Sequence, residues 1–373
     1  MLRKWVLFIF ITILGLFSFS NAISAKETGR ITITVKSSPY AAFETACEIQ
    51  NMAIFKEIKK APAQKIETWP ELPFGYLTLH TKNKDEHYMI SYALNLFDLE
   101  SGIKRRLPQK TKDQLLGYIQ WLEQHHYGKD VSWKEASQLF PRMGFAEVVD
   151  IETGKKFNVQ RRAGSQHADV QPLTAEDTKT MKEIYKGKWS WKRRAILVRS
   201  GEHILAGSMH GMPHGAGAIS NNQFPGHFCI HFKDSTTHRK RYPDPAHDLM
   251  ISKASGNLLE CMIQGTPEEL ITLFLTAISE QDESVVKLMI SQADLTQVQT
   301  FMQSLDDIEG VRLTHDPTVN EKITPFTREV QVQLKLKKVG RKEEDLLTRF
   351  VLTRGALTGR WKVEIGPLLT QWN

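Results

Sequence analysis

The sequence predicts an α+β protein in which a central β-rich unit is flanked by an N-terminal mixed α/β unit and a C-terminal α+β unit. Three observations carry this. Runs of alternating apolar and polar residues, as in Ile31-Thr32-Ile33-Thr34-Val35 and Val330-Gln331-Val332-Gln333-Leu334, mark half-buried strands. Other stretches place apolar residues at helical spacing, such as Leu115, Leu116, Ile119 and Leu122, or Leu270, Leu273, Phe274, Ala277 and Ile278. The length of 373 residues suits two or three domains rather than one core.

The chain opens on Met1-Leu2-Arg3-Lys4, an apolar run from Trp5 to Phe19, and the small-x-small pattern Ser20-Asn21-Ala22. That order reads as a secretory signal peptide over residues 1–25. The apolar run falls short of the roughly 20 residues that span a bilayer. The expectation is an exported chain with no integral membrane domain after signal removal; an uncleaved N-terminal anchor is the alternative. Cys47, Cys229 and Cys261 make an odd count, so a disulfide framework does not hold this fold. Cys47 and Cys261 read as small buried apolar residues.

In the N-terminal unit, residues 26–141, strands are expected at Ile31–Val35, Tyr76–Leu79 and within Tyr88–Phe97, followed by a helix from Thr111 to His125. His125 and His126 close that helix, where they read as solvated groups favoured by its dipole rather than as metal ligands. In the central unit, residues 142–260, Glu147–Asp150 and Lys156–Val159 form a hairpin across Glu152-Thr153-Gly154. Ser165 to Asp169 reads as a loop, because Pro172 and the helix start at Thr174 follow it. Thr174 with Asp177 resembles a capping arrangement for a helix carrying Met181, Ile184 and Tyr185 and ending at Gly187. Strands at Ala195–Val198 and His203–Met209 then deliver the chain to His210.

In the C-terminal unit, residues 265–373, Thr266-Pro267-Glu268-Glu269 is a helix start with a capping box and proline at the first position. Val285, Val286, Leu288 and Met289 suggest a second helix, and Val330–Leu336, Leu347–Leu352 and Trp361–Ile365 suggest strands. Helices followed by a curved antiparallel sheet resemble the nuclear-transport-factor-2-like cone fold. Such domains often bind partners or ligands, and no chemistry is placed here.

The formal charge of +7 includes Arg3 and Lys4 of the leader. Lys192-Arg193-Arg194 and Arg239-Lys240-Arg241 read either as a face for an anionic polymer or as ordinary solvated surface, and no nucleic-acid motif accompanies them. Trp189 and Trp191 read as packing aromatics rather than a sugar platform. Ser235 beside His238 lacks a Gly-x-Ser-x-Gly elbow, so a serine hydrolase is not indicated.

The residues that carry chemistry lie in the central unit. Gly226-His227-Phe228-Cys229-Ile230-His231 sets a cysteine between histidines, shortly after His210-Gly211 and His214-Gly215. Acyl transfer through a thiol needs a nearby imidazole, a group that orients it and donors for the oxyanion. Cys229 is the nucleophile candidate, His214 or His210 the base, and N–H groups around Phe228 and Cys229 the oxyanion donors. The stretch resembles the L,D-transpeptidase catalytic domain, whose signature is a His-Gly pair followed by Ser/Thr-His-Gly-Cys-Ile/Val-Arg. His227, Cys229 and Ile230 match; Gly226, Phe228 and His231 depart from it. The resemblance covers about Ala206 to Phe232. It implies attack by Cys229 on a peptidoglycan stem peptide and a thioester resolved by an amine or water, with His227 in support and no cofactor. His231, Arg239 or Arg241 would replace the missing arginine against substrate, and His167 or Asp169 would hold substrate or orient the base.

The rival chemistry is a zinc-dependent cell-wall peptidase with His167, Asp169, His214 and His227 as ligands. Against it, no His-Glu-x-x-His helix exists, and Gly211, Pro213 and Gly215 disfavour a helical display. Likeness to zinc D-alanyl-D-alanine peptidases is confined to a His and an Asp in one loop. A wall-binding protein that has lost catalysis is the non-enzyme alternative.

Overall fold

The computed structural model describes residues 29–66, 72–237, 243–291, 295–315 and 318–372. The leader and both Arg239 and Arg241 lie outside the described residues. Among the described residues the fold is α+β, with three separate sheet systems. Among the described residues no helix is long and apolar enough to cross a membrane.

The first sheet is formed by β1 (Arg30–Val35), β2 (Thr45–Gln50), β3 (Ala63–Lys65), β4 (Pro73–His80), β5 (Asp85–Ser91), β6 (Leu96–Asp98) and β7 (Ile103–Arg105), in the order β2-β1-β4-β5-β6-β7-β3. Alternation places Ile31, Ile33 and Val35 of β1 and Leu77 and Leu79 of β4 in one core, against α1 (Met52–Lys60) and α2 (Gln109–His126). Asn51 caps α1 by accepting from the N–H groups of Ala53 and Ile54. His126 departs from the solvated expectation. Its ring stacks on Phe43, contacts Thr45 Oγ1 through Nδ1 at 3.0 Å, and burial pushes its pKa down to about 4. The helix turns this position toward β2 while His125 stays on the outer face. Cys47 is half-buried on edge strand β2 and Cys261 is exposed, so neither has the buried environment expected of it.

The helix α3 (Trp133–Leu139), capped by Ser132, leads into a closed six-stranded barrel. Its strands are β8 (Phe145–Asp150), β9 (Lys156–Ala163), β10 (Ala168–Pro172), β11 (Arg193–Ser200), β12 (His203–His210) and β13 (Phe228–His231), closed in the order β10-β13-β12-β11-β8-β9. The expected 165–169 loop is shorter than the sequence implied. Gly164, at φ +96°, turns the chain so tightly that Ala168 and Asp169 already belong to β10. Pro172 ends that strand, where its missing N–H is tolerated. α4 (Ala175–Ile184) follows with a complete Thr174–Asp177 capping box, so aspartate serves at the third position.

Along the barrel strands successive residues enter two different cores. Val148, Ile196, Val198, Met209, Phe228 and Ile230 share one cluster; Val149, Ala195, Leu197 and Ala206 join another with Leu249, Met250 and Ala254 of α5 (Pro245–Ala254). That second cluster continues through α6 (Leu258–Gln264), α7 (Pro267–Ser279), α8 (Glu283–Met289) and α9 (Leu295–Ser304). It then reaches the last sheet, β14 (Ile308–Leu313), β15 (Thr318–Ile323), β16 (Thr327–Lys338), β17 (Glu344–Thr353) and β18 (Lys362–Val363), and α10 (Ile365–Trp372). The order is β14-β16-β17-β18, with β15 also pairing β16.

The Lys192-Arg193-Arg194 cluster is not the solvated surface its composition suggested. Arg194 makes a two-pronged pair with the fully buried Asp150, at 2.7 and 2.8 Å, and Arg193 pairs with Asp244 at 2.5 Å. Lys192 donates to the carbonyls of Ser279 and Glu309. Lys253 of α5 lies buried between Glu152 at 2.9 Å and Asp282 at 2.5 Å, tying the barrel to the C-terminal unit.

Replacing Lys253 with methionine leaves two carboxylates facing each other without their cation, an expected loss of about 3–5 kcal/mol in chemical denaturation. Adding Glu152→Gln and Asp282→Asn should restore most of it; no restoration would mean that packing, not charge, is the cause. His126 supplies a pH test. Its folded pKa of about 4 lies below an unfolded value of about 6.5, so its stabilisation is complete above pH 6.5 and is lost as pH falls toward 4. The variant His126→Phe should show a shallower fall in stability across that window.

Candidate active site

Period two puts the chemistry on the outer wall of the barrel. In β13, Phe228 and Ile230 fill the interior, which leaves Cys229 and His231 on the other face. Asp169 of β10 is the direct cross-strand partner of Cys229, and Ser208 of β12 is the partner of His231. One stripe across β10, β13 and β12 thus holds Asp169, Cys229, His231, Ser208 and His210.

The segment between β12 and β13 folds back over this stripe. His214 and His227 form an isolated antiparallel bridge, exchanging N–H···O bonds of 2.9 Å in both directions. Gly226 makes the close approach possible: at φ +105°, a Cβ there would sit 2.4 Å from the His214 carbonyl oxygen. The backbone freedom that the resemblance placed at Phe228 therefore resides at Gly226. Phe228 is ordinary buried strand, and its backbone and that of Cys229 belong to the β10–β13 ladder rather than to an oxyanion loop. Gln171, a residue without any sequence signal, locks the segment from β10. Its Nε2 donates to the Gly226 carbonyl at 2.8 Å and its Oε1 accepts from Ala218 and Ile219 at 2.7 and 3.2 Å.

Three rings are fixed in the same way. His167 Nδ1 lies 2.8 Å from the Thr236 carbonyl, His214 Nδ1 3.1 Å from the Met212 carbonyl, and His227 Nδ1 3.0 Å from the Ala216 carbonyl. A carbonyl only accepts, so Nδ1 carries a hydrogen in each, and whenever the ring is neutral the lone pair is on Nε2. His214 Nε2 stands 3.4 Å from Cys229 Sγ. His167 Nε2 and His227 Nε2 stand 3.2 and 3.8 Å from Asp169 Oδ1, and the thiol lies 3.7 Å from that same oxygen. Burial, with the Asp169 carboxylate beside it, holds the Cys229 thiol far above the usual range. At rest the sulfur is a thiol.

The remaining histidines have other duties. His210, the alternative base, accepts the Met212 N–H at Nδ1 and packs between Trp191 and His214. Burial and the neighbouring His214 drive its pKa down to about 3, so it stays neutral. His231, expected against substrate, is 3 % exposed and sandwiched between His247 at 3.7 Å and His167 at 4.5 Å. It braces His167 from within. His247, to which the sequence gave little weight, arrives on α5 and bonds Ser208 Oγ at 2.8 Å; burial and His231 hold it well below the usual imidazole range. Trp191 is half exposed and covers His210 and His214, a lid rather than the core aromatic expected.

Two sets of metal-type donors share the sulfur: His210, His214 and Cys229, and His167, Asp169 and Cys229, each within 4.8 Å. His227, a ligand in the zinc alternative, approaches Asp169 but belongs to neither set. A cavity of about 840 Å³ lies elsewhere, among Tyr76, Glu123, Glu152 and Lys253; it touches none of these donors, and the bond-making groups rather than the volume locate the site. No protein-family model matches the chain, and no curated protein matches it.

Replacing Gln171 with alanine leaves two N–H groups and one carbonyl without their partner, each worth about 1–3 kcal/mol if buried. The variant should stay folded, lose about 2–4 kcal/mol, and alkylate faster at Cys229 as the segment lifts. Alkylation at the parental rate would show that the clamp does not control access.

Proposed function

We propose that this is an exported cell-wall enzyme that uses Cys229 for acyl transfer or hydrolysis on peptidoglycan stem peptides. The observation that carries the proposal is the line from the Met212 carbonyl through the His214 ring to the Cys229 sulfur, with its 3.1 Å and 3.4 Å contacts. The carbonyl fixes the tautomer whose Nε2 accepts a proton, and the thiol stands in front of it. Since the resting sulfur is protonated, Nε2 takes the proton as Sγ attacks the peptide carbonyl carbon. The imidazolium then protonates the leaving amine as the C–N bond breaks, giving a thioester. A second amine restores an amide, or water gives an acid; either returns the proton and frees the thiol. A positioned base of this kind contributes about 10²–10⁴ in rate.

The central barrel is read as an L,D-transpeptidase-like domain on the strength of the Gly226–His231 motif. The C-terminal helices laid on a five-stranded antiparallel sheet support the nuclear-transport-factor-2-like reading, which leaves that unit free for partner or ligand binding. A second reading, a zinc-dependent peptidase at the same place, is favoured by the His167, Asp169 and Cys229 donor atoms lying within 4.8 Å of one another. A wall-binding protein without catalysis would keep its affinity for peptidoglycan when Cys229 is changed.

Incubation of the metal-free protein with a carbapenem, which acylates L,D-transpeptidase cysteines, should give a covalent adduct mapping to Cys229. Cys229→Ala should abolish the adduct and keep the fold. His214→Ala should slow its formation about 100-fold or more, whereas His210→Asn should leave it within a few fold. No adduct in the metal-free protein sinks the thiol mechanism.

A further inference from the structure

His167, Asp169 and Cys229 meet on one face of the barrel wall. His167 Nδ1 lies 2.8 Å from the Thr236 carbonyl, and its Nε2 faces Asp169 Oδ1 at 3.2 Å. Cys229 Sγ is 3.7 Å from the same oxygen, and the three donor atoms lie within 4.8 Å of one another. Donors around a tetrahedral zinc ion, with bonds of about 2.0–2.3 Å, are separated by about 3.3–3.7 Å. The two spacings to Asp169 Oδ1, 3.2 and 3.7 Å, lie close to that range. All three side chains are buried, and each is held by something outside the set: Thr236 and the stacked His231 fix His167, while the β10–β13 ladder fixes Asp169 opposite Cys229. Ligands oriented by a backbone carbonyl and a paired ladder are the arrangement that metal centres use. His227 Nε2, buried without a hydrogen-bond partner and 3.8 Å from Asp169 Oδ1, stands beside them as a fourth donor.

We infer that His167, Asp169 and Cys229 bind one zinc-class divalent ion, and that this ion and an acyl group compete for the Cys229 sulfur. The competition rests on the thiol mechanism proposed above; the metal site does not. Binding displaces the thiol proton to solvent and forms a metal–sulfur bond, which commits the sulfur's nucleophilic electron density to the metal and leaves His214 no S–H proton to take. Metal release restores the thiol. The site is thereby a reversible stop on the enzyme, set by free metal outside the membrane.

The test uses the full mature chain, stripped with a chelator and titrated with zinc(II) or cobalt(II). Native mass spectrometry should find one ion per chain, and cobalt should give a thiolate-to-metal charge-transfer band. Asp169→Asn and His167→Gln, checked for folding by circular dichroism, should bind at least about tenfold more weakly. Zinc-loaded protein should form the carbapenem adduct at least tenfold more slowly than stripped protein, and chelation should restore the rate. A folded wild-type chain that binds no ion overturns the inference while leaving the thiol mechanism standing. Bound cobalt without a thiolate band, or undiminished acylation of the loaded protein, removes Cys229 from the ligand set. One bound ion with a thiolate band but no acylation of the stripped protein keeps the metal site and overturns the competition.

Discussion

Everything at the candidate site depends on the two-residue repeat of the barrel wall. Phe228 and Ile230 must enter the barrel to close its core, and that obligation drives Cys229 and His231 to the opposite face. The antiparallel register then sets Asp169 across from Cys229 and Ser208 across from His231. A slip of one residue would bury the cysteine among aliphatics and expose a phenylalanine. Hydrophobic burial inside the barrel therefore fixes the positions of polar atoms outside it.

On that fixed wall the chemistry is tuned by backbone carbonyls. Met212, Ala216 and Thr236 each hold one Nδ1, so His214, His227 and His167 present Nε2 to the sulfur and the carboxylate. Gly226 and Gln171 keep the overlying segment low enough for this, one by having no Cβ and the other by three hydrogen bonds. Beneath them lies a stack of rings, His167 on His231 on His247, in which burial keeps His247 neutral.

Charge is instead concentrated where the barrel meets its neighbours. Arg194 neutralises the buried Asp150, Arg193 reaches Asp244, and Lys253 joins Glu152 to Asp282. These pairs cost desolvation and offset it by mutual attraction and directional bonds, which favours one relative placement of α5, the barrel and the C-terminal helices. Because α5 also carries His247, the site and the junction share one helix.

The sequence by itself determined the α+β class, most of the strands and capped helices, and the neighbourhood of the chemistry. Those features are local: alternation, helical spacing and Thr266–Glu269 or Thr174–Asp177 caps act over a few residues. It could not choose between His210 and His214, because that depends on which ring the folded segment sets against the Cys229 sulfur. Nor could it foresee Gln171, Trp191 or the importance of His247. Only the tertiary structure decided that His126 is buried, that Arg193 and Arg194 are struts, and that Ala168 and Asp169 are strand. In each case the partner comes from a distant segment, and burial beside that partner, not the residue's own propensity, settles its role.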